Sequence, residues 1–223
     1  LGQSIIENPT FENCVFHYPS NYKYLHYAPM ITAFVNGSGN KFEIRNLKIV
    51  NCSDGLRVNN AEVTLKNGII SNCSGIGVGI GDFASFRATN LAIVNNGGYG
   101  LYAGASGAGS FPHSSLTNSI LTGNRGDNWP TGGQVFYDDQ STLVFKNSIV
   151  ENGVGGMKFV DNYSSTVHKV DTINFSTGLP TFVNPTLGAG LGFDATKSDW
   201  RLKSDCGGTS RGFNEGTSSL ASS

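Results

Sequence analysis

The stretch Phe42 to Val58, FEIRNLKIVNCSDGLRV, is restated 21 residues later as VTLKNGIISNCSGIGV from Val63 to Val78. A period of that size constrains a chain more than any local propensity does, because each unit is too small to bury its own apolar face and must stack on the next. Aligned on this unit, the chain places an Asn at the end of a short alternating apolar run at Asn8, Asn46, Asn67, Asn90, Asn118 and Asn147, with Asp171 in the place of a seventh. A second Asn follows five residues later at Asn13, Asn51, Asn72, Asn95 and Asn152, and one residue late at Asn124.

Each unit holds two or three runs of three to five residues alternating with period two, such as Val63-Thr-Leu65 and Ile76-Gly-Val78, separated by Asn, Gly, Ser and Asp. No window shows ten residues of helical periodicity, so helical solenoids are excluded. Coils of 21 to 29 residues with three short strands match one rung of an all-β, right-handed parallel β-helix, here of about seven rungs. Asn tolerates the left-handed backbone and bonds to its neighbours along a stack, so the recurring Asn reads as a turn ladder, expected to point inward. One such domain spans 1–215. The ending 216–223, GTSSLASS, reads as a low-complexity tail or linker and suggests a piece of a longer chain.

Charge excludes several partners. Only 14% of residues are charged and the net charge is −1, which leaves no electrostatic footprint for nucleic acid. No run of about 18 apolar residues is present, so membrane insertion is not expected. The chain starts at Leu1 without an initiator Met or a signal peptide, which reads as a processed start.

The unit Gly132 to Asn152, GGQVFYDDQSTLVFKNSIVEN, resembles the degenerate repeats of bacterial secreted and surface proteins of the right-handed parallel β-helix superfamily, pectate-lyase-like in fold. Pro180-Thr-Phe-Val-Asn-Pro185 with Asp199-Trp-Arg-Leu-Lys203 is similar to the segment that closes such helices. Where the family continues with Ser-Pro-x-Ile-Asp-x-Gly, this chain has Ser204-Asp-Cys-Gly-Gly-Thr-Ser-Arg-Gly212, so an irregular C-terminal cap is expected. The resemblance covers about residues 1 to 203. It implies a secreted or cell-surface location and a polysaccharide or cell-surface glycan as partner, with the ligand lying along the outside of one sheet; it does not specify an activity.

Cys14, Cys52 and Cys73 each follow the second Asn of a unit and so occupy one position on successive rungs, about 4.8 Å apart. A reduced internal stack, a Cys52–Cys73 bridge and a metal site are the alternatives, the last disfavoured because no Cys-x-x-Cys or paired His accompanies them. Cys206 stands alone. The insertion His17 to Tyr27 either caps the open end of the solenoid or supplies stacking rings beside a groove.

In Leu56-Arg-Val58, Ile76-Gly-Val78, Leu101-Tyr-Ala103, Val135-Phe-Tyr137 and Met157-Lys-Phe159 the outer residues are apolar and point inward. The middle ones then form an outward row of Arg57, Gly77, Tyr102, Phe136 and Lys158. Cations for carboxylates and rings for the apolar faces of sugars make Arg57, Tyr102, Phe136 and Lys158, with Trp129 from a neighbouring loop, the candidate substrate-binding residues. Turns bring Asp82, Asp138, Asp139 and Asp161 near one edge of the same sheet, where stacked carboxylates would bind Ca2+ or act as an acid and base pair. Surface turn Asp chosen for local backbone bonding is the favoured explanation of them. The insertions Gly104 to His113 and Arg125 to Gly133 flank the row.

Two function classes follow. One is a noncatalytic surface module that binds glycans. The other is a polysaccharide lyase or glycoside hydrolase acting on an acidic glycan, with Lys158 or Arg57 as base and Asp138 and Asp139 as the carboxylates. The Asn-Thr-Asp, Gly-His-Gly and Arg-Ile-Lys signatures of pectin hydrolases are absent.

Overall fold

A computed structural model describes residues 10–12, 15–17, 29–34, 41–126, 133–161, 169–173 and 180–203. In chain order the strands are β1 (Thr10–Glu12), β2 (Val15–His17), β3 (Pro29–Phe34), β4 (Lys41–Val50), β5 (Asp54–Asn59), β6 (Glu62–Ser71), β7 (Val78–Ile80), β8 (Ser85–Val94) and β9 (Leu101–Ala103). They continue as β10 (His113–Thr117), β11 (Ile120–Thr122), β12 (Val135–Asp138), β13 (Thr142–Lys146), β14 (Ile149–Val150), β15 (Met157–Val160), β16 (Lys169–Ile173), β17 (Phe182–Asn184) and β18 (Asp199–Leu202). Among the described residues no helix is long and apolar enough to cross a membrane.

The strands stack in parallel, each on its equivalent in the next coil. One sheet runs β1-β4-β6-β8-β10-β13-β16, with β2, β11 and β14 continuing it around a corner; the other runs β3-β5-β7-β9-β12-β15. The corner is made by the first Asn of each unit. Asn46, Asn67, Asn90, Asn118 and Asn147 all have φ between 49° and 59°, a left-handed conformation that bends the chain with little penalty for Asn. The ten-residue strands β4, β6 and β8 therefore hold two flat halves around one bend, which gives each coil three sides.

Over Asn46, Asn67 and Asn90 this ladder lies on the outer corner and does not point inward as expected, whereas Asn147 is buried. Asn46 and Asn67 are exposed. Their amides bond along the stack, Asn67 Nδ2 donating to Asn46 Oδ1 at 3.1 Å and Asn90 Nδ2 to Asn67 Oδ1 at 3.0 Å. A left-handed residue at a convex bend throws its side chain outward. The second ladder, Asn51, Asn72, Asn95 and Asn152, is also left-handed, and Gly123 fills the missing position. Asn124 is thus not a displaced ladder residue: it is the residue after the ladder position, and it is buried.

The residues after that ladder form an interior column. Cys52 and Cys73 are fully buried reduced thiols, whereas Cys14 and Cys206 fall outside the described residues. Above them the column turns polar with Asn96 and Asn124. Asn124 Oδ1 accepts from Asn96 N at 3.1 Å and from Asn96 Nδ2 at 2.8 Å, Asn96 Oδ1 accepts from Cys73 N at 3.0 Å, and Asn124 Nδ2 donates to Gln134 Oε1 at 2.8 Å. The side-chain amides of Asn96 and Asn124 thus both meet partners inside, which is the condition for burying them. Around the column, apolar files such as Ile44-Leu65-Ala88-Leu116-Phe145 and Ile49-Ile70-Ile93-Leu121-Val150 fill the core. At about 25 cal/mol per Å² of apolar area removed from water, these files dominate the stability.

Over its described residues, 180–203, the C-terminal segment lies along the side of the solenoid; the stretch 204–212, where an irregular cap was expected, lies outside the described residues. β17 and β18 pair antiparallel and lay Phe182 and Trp200 on Val94, with Ile69, Ala92, Ile120 and Leu202 alongside. Between them the chain runs across the rungs along the second Asn ladder. Asn95 Nδ2 donates to Thr186 Oγ1 at 2.9 Å, Asn72 Nδ2 to Gly188 O at 2.9 Å and Asn51 Nδ2 to Phe193 O at 2.8 Å, while Asn51 Oδ1 accepts from Ala195 N at 2.7 Å. The segment is a lateral strap. Its need is visible in the rungs, where Ile69-Ile70 and Ile93-Val94 are apolar on both faces of the strand and so demand cover on both.

Candidate functional site

The outward row exists, with one correction of register. Leu56 pairs with Val78 and Arg57 with Gly79; Gly79 pairs in turn with Tyr102, Tyr102 with Phe136, and Phe136 with Lys158. Gly79 therefore stands where Gly77 was expected. The alternation Ile76-Gly-Val78-Gly-Ile80 fits either register, and a glycine on the outer face leaves no side chain to mark which is right. Gly77 sits at the turn instead, where a Cβ would fall 2.5 Å from Ile93 Cγ2 and 2.8 Å from the Gly100 carbonyl oxygen.

Along the row the chemistry changes from cationic to aromatic and back. Arg57 is exposed, and its stem lies over Gly79, with Nε 3.6 Å and Cγ 3.8 Å from the place a Cβ would take. A larger residue at 79 would lift it. Its nearest carboxylate contact, to Asp54 Oδ2, is 3.9 Å long and leaves the guanidinium largely in solvent. Tyr102 and Phe136 stack face to face at 4.4 Å with planes 2° apart, and Tyr99 closes on both, 5.4 Å from Phe136 and 6.4 Å from Tyr102. Phe136 is consequently only 9% exposed. It cannot offer a free face to a ligand and instead backs Tyr102, which is half-buried and outermost of the three. Lys158, also half-buried, lies one strand beyond Phe136, so about 19 Å separates it from Arg57 at ~4.8 Å per strand.

Both insertions begin at this aromatic trio. Gly104, which opens the first, lies against the Tyr102 ring, where a Cβ would come within 2.8 Å of Cε1. Gly126 and Gly133, near the two ends of the second, pack on Tyr99, where a Cβ at Gly133 would meet the ring at 2.5 Å. Small residues are needed there because the rings already fill the space. Trp129 belongs to that second loop and lies outside the described residues.

Two of the four carboxylates, Asp138 and Asp82, anchor the first loop. Asp138 and Asp139 are fully buried, Asp82 is half-buried and Asp161 is exposed. Asp138 Oδ2 accepts from Ala105 N at 2.6 Å, and Oδ1 accepts from Ser141 Oγ at 2.7 Å and Gln140 N at 3.1 Å. Asp82 accepts from both the backbone N, at 2.7 Å, and the hydroxyl of Ser106. Gln140 completes the anchorage, its amide oxygen accepting from Gly109 N and its Nε2 donating to Gly107 O at 3.2 Å. Burial works against the charge of Asp82, but hydrogen bonds from Ser106 and Ser110 outweigh it and hold the carboxyl below its ordinary range. Among the described residues no three His, Cys, Asp or Glu side chains, these four Asp included, gather into a group that could hold a metal ion. Nor are Asp138 and Asp139 placed to serve as an acid and base pair with Lys158 or Arg57, since both are out of reach of solvent.

Gln140, Ser141 and Tyr99 were not foreseen as parts of this site. The buried run Gln134 to Asp139 marks a strand covered on its outer face, a signal that the two-period alternation alone does not give.

Residues 55–175 match the family model described as a right handed beta helix region, just over half of the chain. No curated protein and no solved structure matches.

Proposed function

The chain belongs to the right-handed β-helix family, and from that membership we propose that it is a secreted or surface-exposed module that binds polysaccharide along the outer face of the sheet built from β5, β7, β9, β12 and β15. The observation that carries this reading is the Tyr102 ring, backed rigidly by Phe136 and Tyr99 and set between the roots of two insertions, with the exposed Arg57 on the same face. A ring held by other rings loses no rotamer freedom when a sugar stacks on it. Arg57 supplies a fork for a carboxylate or hydroxyl two strands away, and Lys158 a second cation at the far end of the row. The binding reading is favoured over a lyase or glycoside hydrolase because the buried Asp138 commits one oxygen to the first loop and the other to its own turn, and Phe136 separates Tyr102 from Lys158.

A glycan array, followed by titration of the best binder against Tyr102→Ala and Arg57→Ala, tests the proposal. Each substitution is expected to weaken binding by about 1 kcal/mol, the order found for aromatic and charge-assisted contacts. Release of unsaturated uronate products from alginate or pectin, abolished by Lys158→Ala or by a chelator, would establish the lyase instead. No binding to any glycan would leave a module that only spaces its neighbours.

A further inference from the structure

At the edge of the same sheet one residue holds a conformation that its side chain does not favour. The turns into β6, β8 and β10 are stacked: Ser85 N donates to Ala61 O, His113 N to Ala84 O and Thr142 N to Pro112 O. The residues immediately before these acceptors are Asn60, Phe83 and Phe111. Asn60 is left-handed at φ 53°, an ordinary state for Asn, but Phe83 takes the same state at φ 50°. For a bulky side chain that is an outlier, since its Cβ crowds the backbone and the ring has no polar group to compensate. The ring gains little from packing, because Phe83 is 62% exposed. Phe111, at the equivalent point of the next coil, is 48% exposed.

Strain at an exposed aromatic residue with little structural return points to a ligand. The surroundings narrow the class. The two rings stand among Asp82, Ser106 and Ser110, polar groups that break up the apolar surface a protein interface needs, whereas rings alternating with hydroxyls and carboxylates suit a sugar chain. They are also continuous with the row: Phe111 is carried by the loop that starts at Gly104 beneath Tyr102, and Phe83 lies in the turn four residues after Gly79. We infer that Phe83 and Phe111 form a second stacking platform for the same polysaccharide, which leaves the Tyr102 row sideways over Gly79 and Gly81 and rests a further sugar unit on the turn. The inference rests on the glycan-binding reading.

The test compares the whole chain with Phe83→Asn, Phe111→Ala and Tyr102→Ala, titrating di- and hexasaccharides of galacturonate and of β-1,4-linked glucose by calorimetry and recording thermal melts. Phe83→Asn copies the neighbouring coil, so it is expected to raise the melting temperature by about 2 °C while weakening the bound hexasaccharide three- to tenfold and leaving the disaccharide, too short to span both places, unchanged. Phe111→Ala should weaken the hexasaccharide alone by a similar factor. A lower melting temperature for Phe83→Asn, or unchanged hexasaccharide binding while Tyr102→Ala still weakens it, overturns the second platform and leaves the row standing. If no hexasaccharide binds, or Tyr102→Ala has no effect, the row itself fails and the platform with it.

Discussion

Asn124 shows how much one interior amide can hold in a solenoid. It closes hydrogen bonds with Asn96, Gln134 and the Ile93 carbonyl, all buried, so Asn124→Ala strands several partners at once. At 1–3 kcal/mol for each buried group left unmatched, a loss of about 3 kcal/mol in urea unfolding is expected, far more than for the same change at the exposed Asn46. The column below behaves oppositely. The adjoining Cys52 thiol, together with complete burial, pushes the Cys73 thiol well above its ordinary value. Alkylation mapped by mass is therefore expected to leave Cys52 and Cys73 unmodified in the native protein and to label both after denaturation without reductant. Labelling in the native state would contradict the buried stack. Acid exposes a different group. Burial, then the charge of Arg87, lowers the pKa of His113 below 6.5, so the folded chain refuses a proton that the unfolded chain accepts. Stability from this residue is present above about pH 6.5 and is lost as pH falls. The urea midpoint should drop between pH 7 and 5, and His113→Gln should flatten that limb. Asp82 and Asp199, the latter held at about 2 by hydrogen bonds from Arg201, add a second loss only below the ordinary carboxylate range.

The strap is the element with the sharpest energetic signature. Trp200 is 5% exposed, yet its indole N–H has no partner among the described residues. What it contributes is apolar packing on Val94 and Phe182, the latter edge-on at 5.2 Å. Trp200→Phe is expected to be nearly neutral, while Trp200→Ala should cost about 3 kcal/mol and speed hydrogen exchange at Gly190, whose N–H bonds to Asn95 O. Equal effects of the two changes would mean that the strap is held by something other than packing. This element also marks the limit of what the sequence discloses. Period-two alternation places Ile44, Leu65 and Leu116 inside and Arg57 and Tyr102 outside, because each inward position must match those above and below it. A strap crossing the rungs has no period, and its ladder partners lie 91 to 144 residues away, so the motif Pro180 to Pro185 announced a closing segment without saying which surface it closes. The aromatic site was legible in part for the same reason. Register gave Tyr102, Phe136 and Lys158 their row, but only tertiary packing could bury Phe136 and commit Asp138 to the loop.

At the scale of the whole molecule, the apolar files are continuous, and a charge in any of them interrupts every rung at once. Ile70 is fully buried between Ile49 and Ile93, so Ile70→Asp is expected to abolish the folded state, as read by circular dichroism; a variant that melts like the parent would mean the register is wrong. A stacked array ordinarily folds by nearest-neighbour steps, each rung using only the one beside it. Here Asn51, in an early coil, bonds to Phe193 and Ala195, separated from it by 142 and 144 residues. During synthesis the rungs can form in order, but the amides of Asn51, Asn72 and Asn95 find their partners only when residues 186–195 arrive. The strap thus acts as a finishing stitch: it ties the coils that carry these three amides into a unit that is released together, and it sets the arrival of residues 186–195 as the condition for that closure.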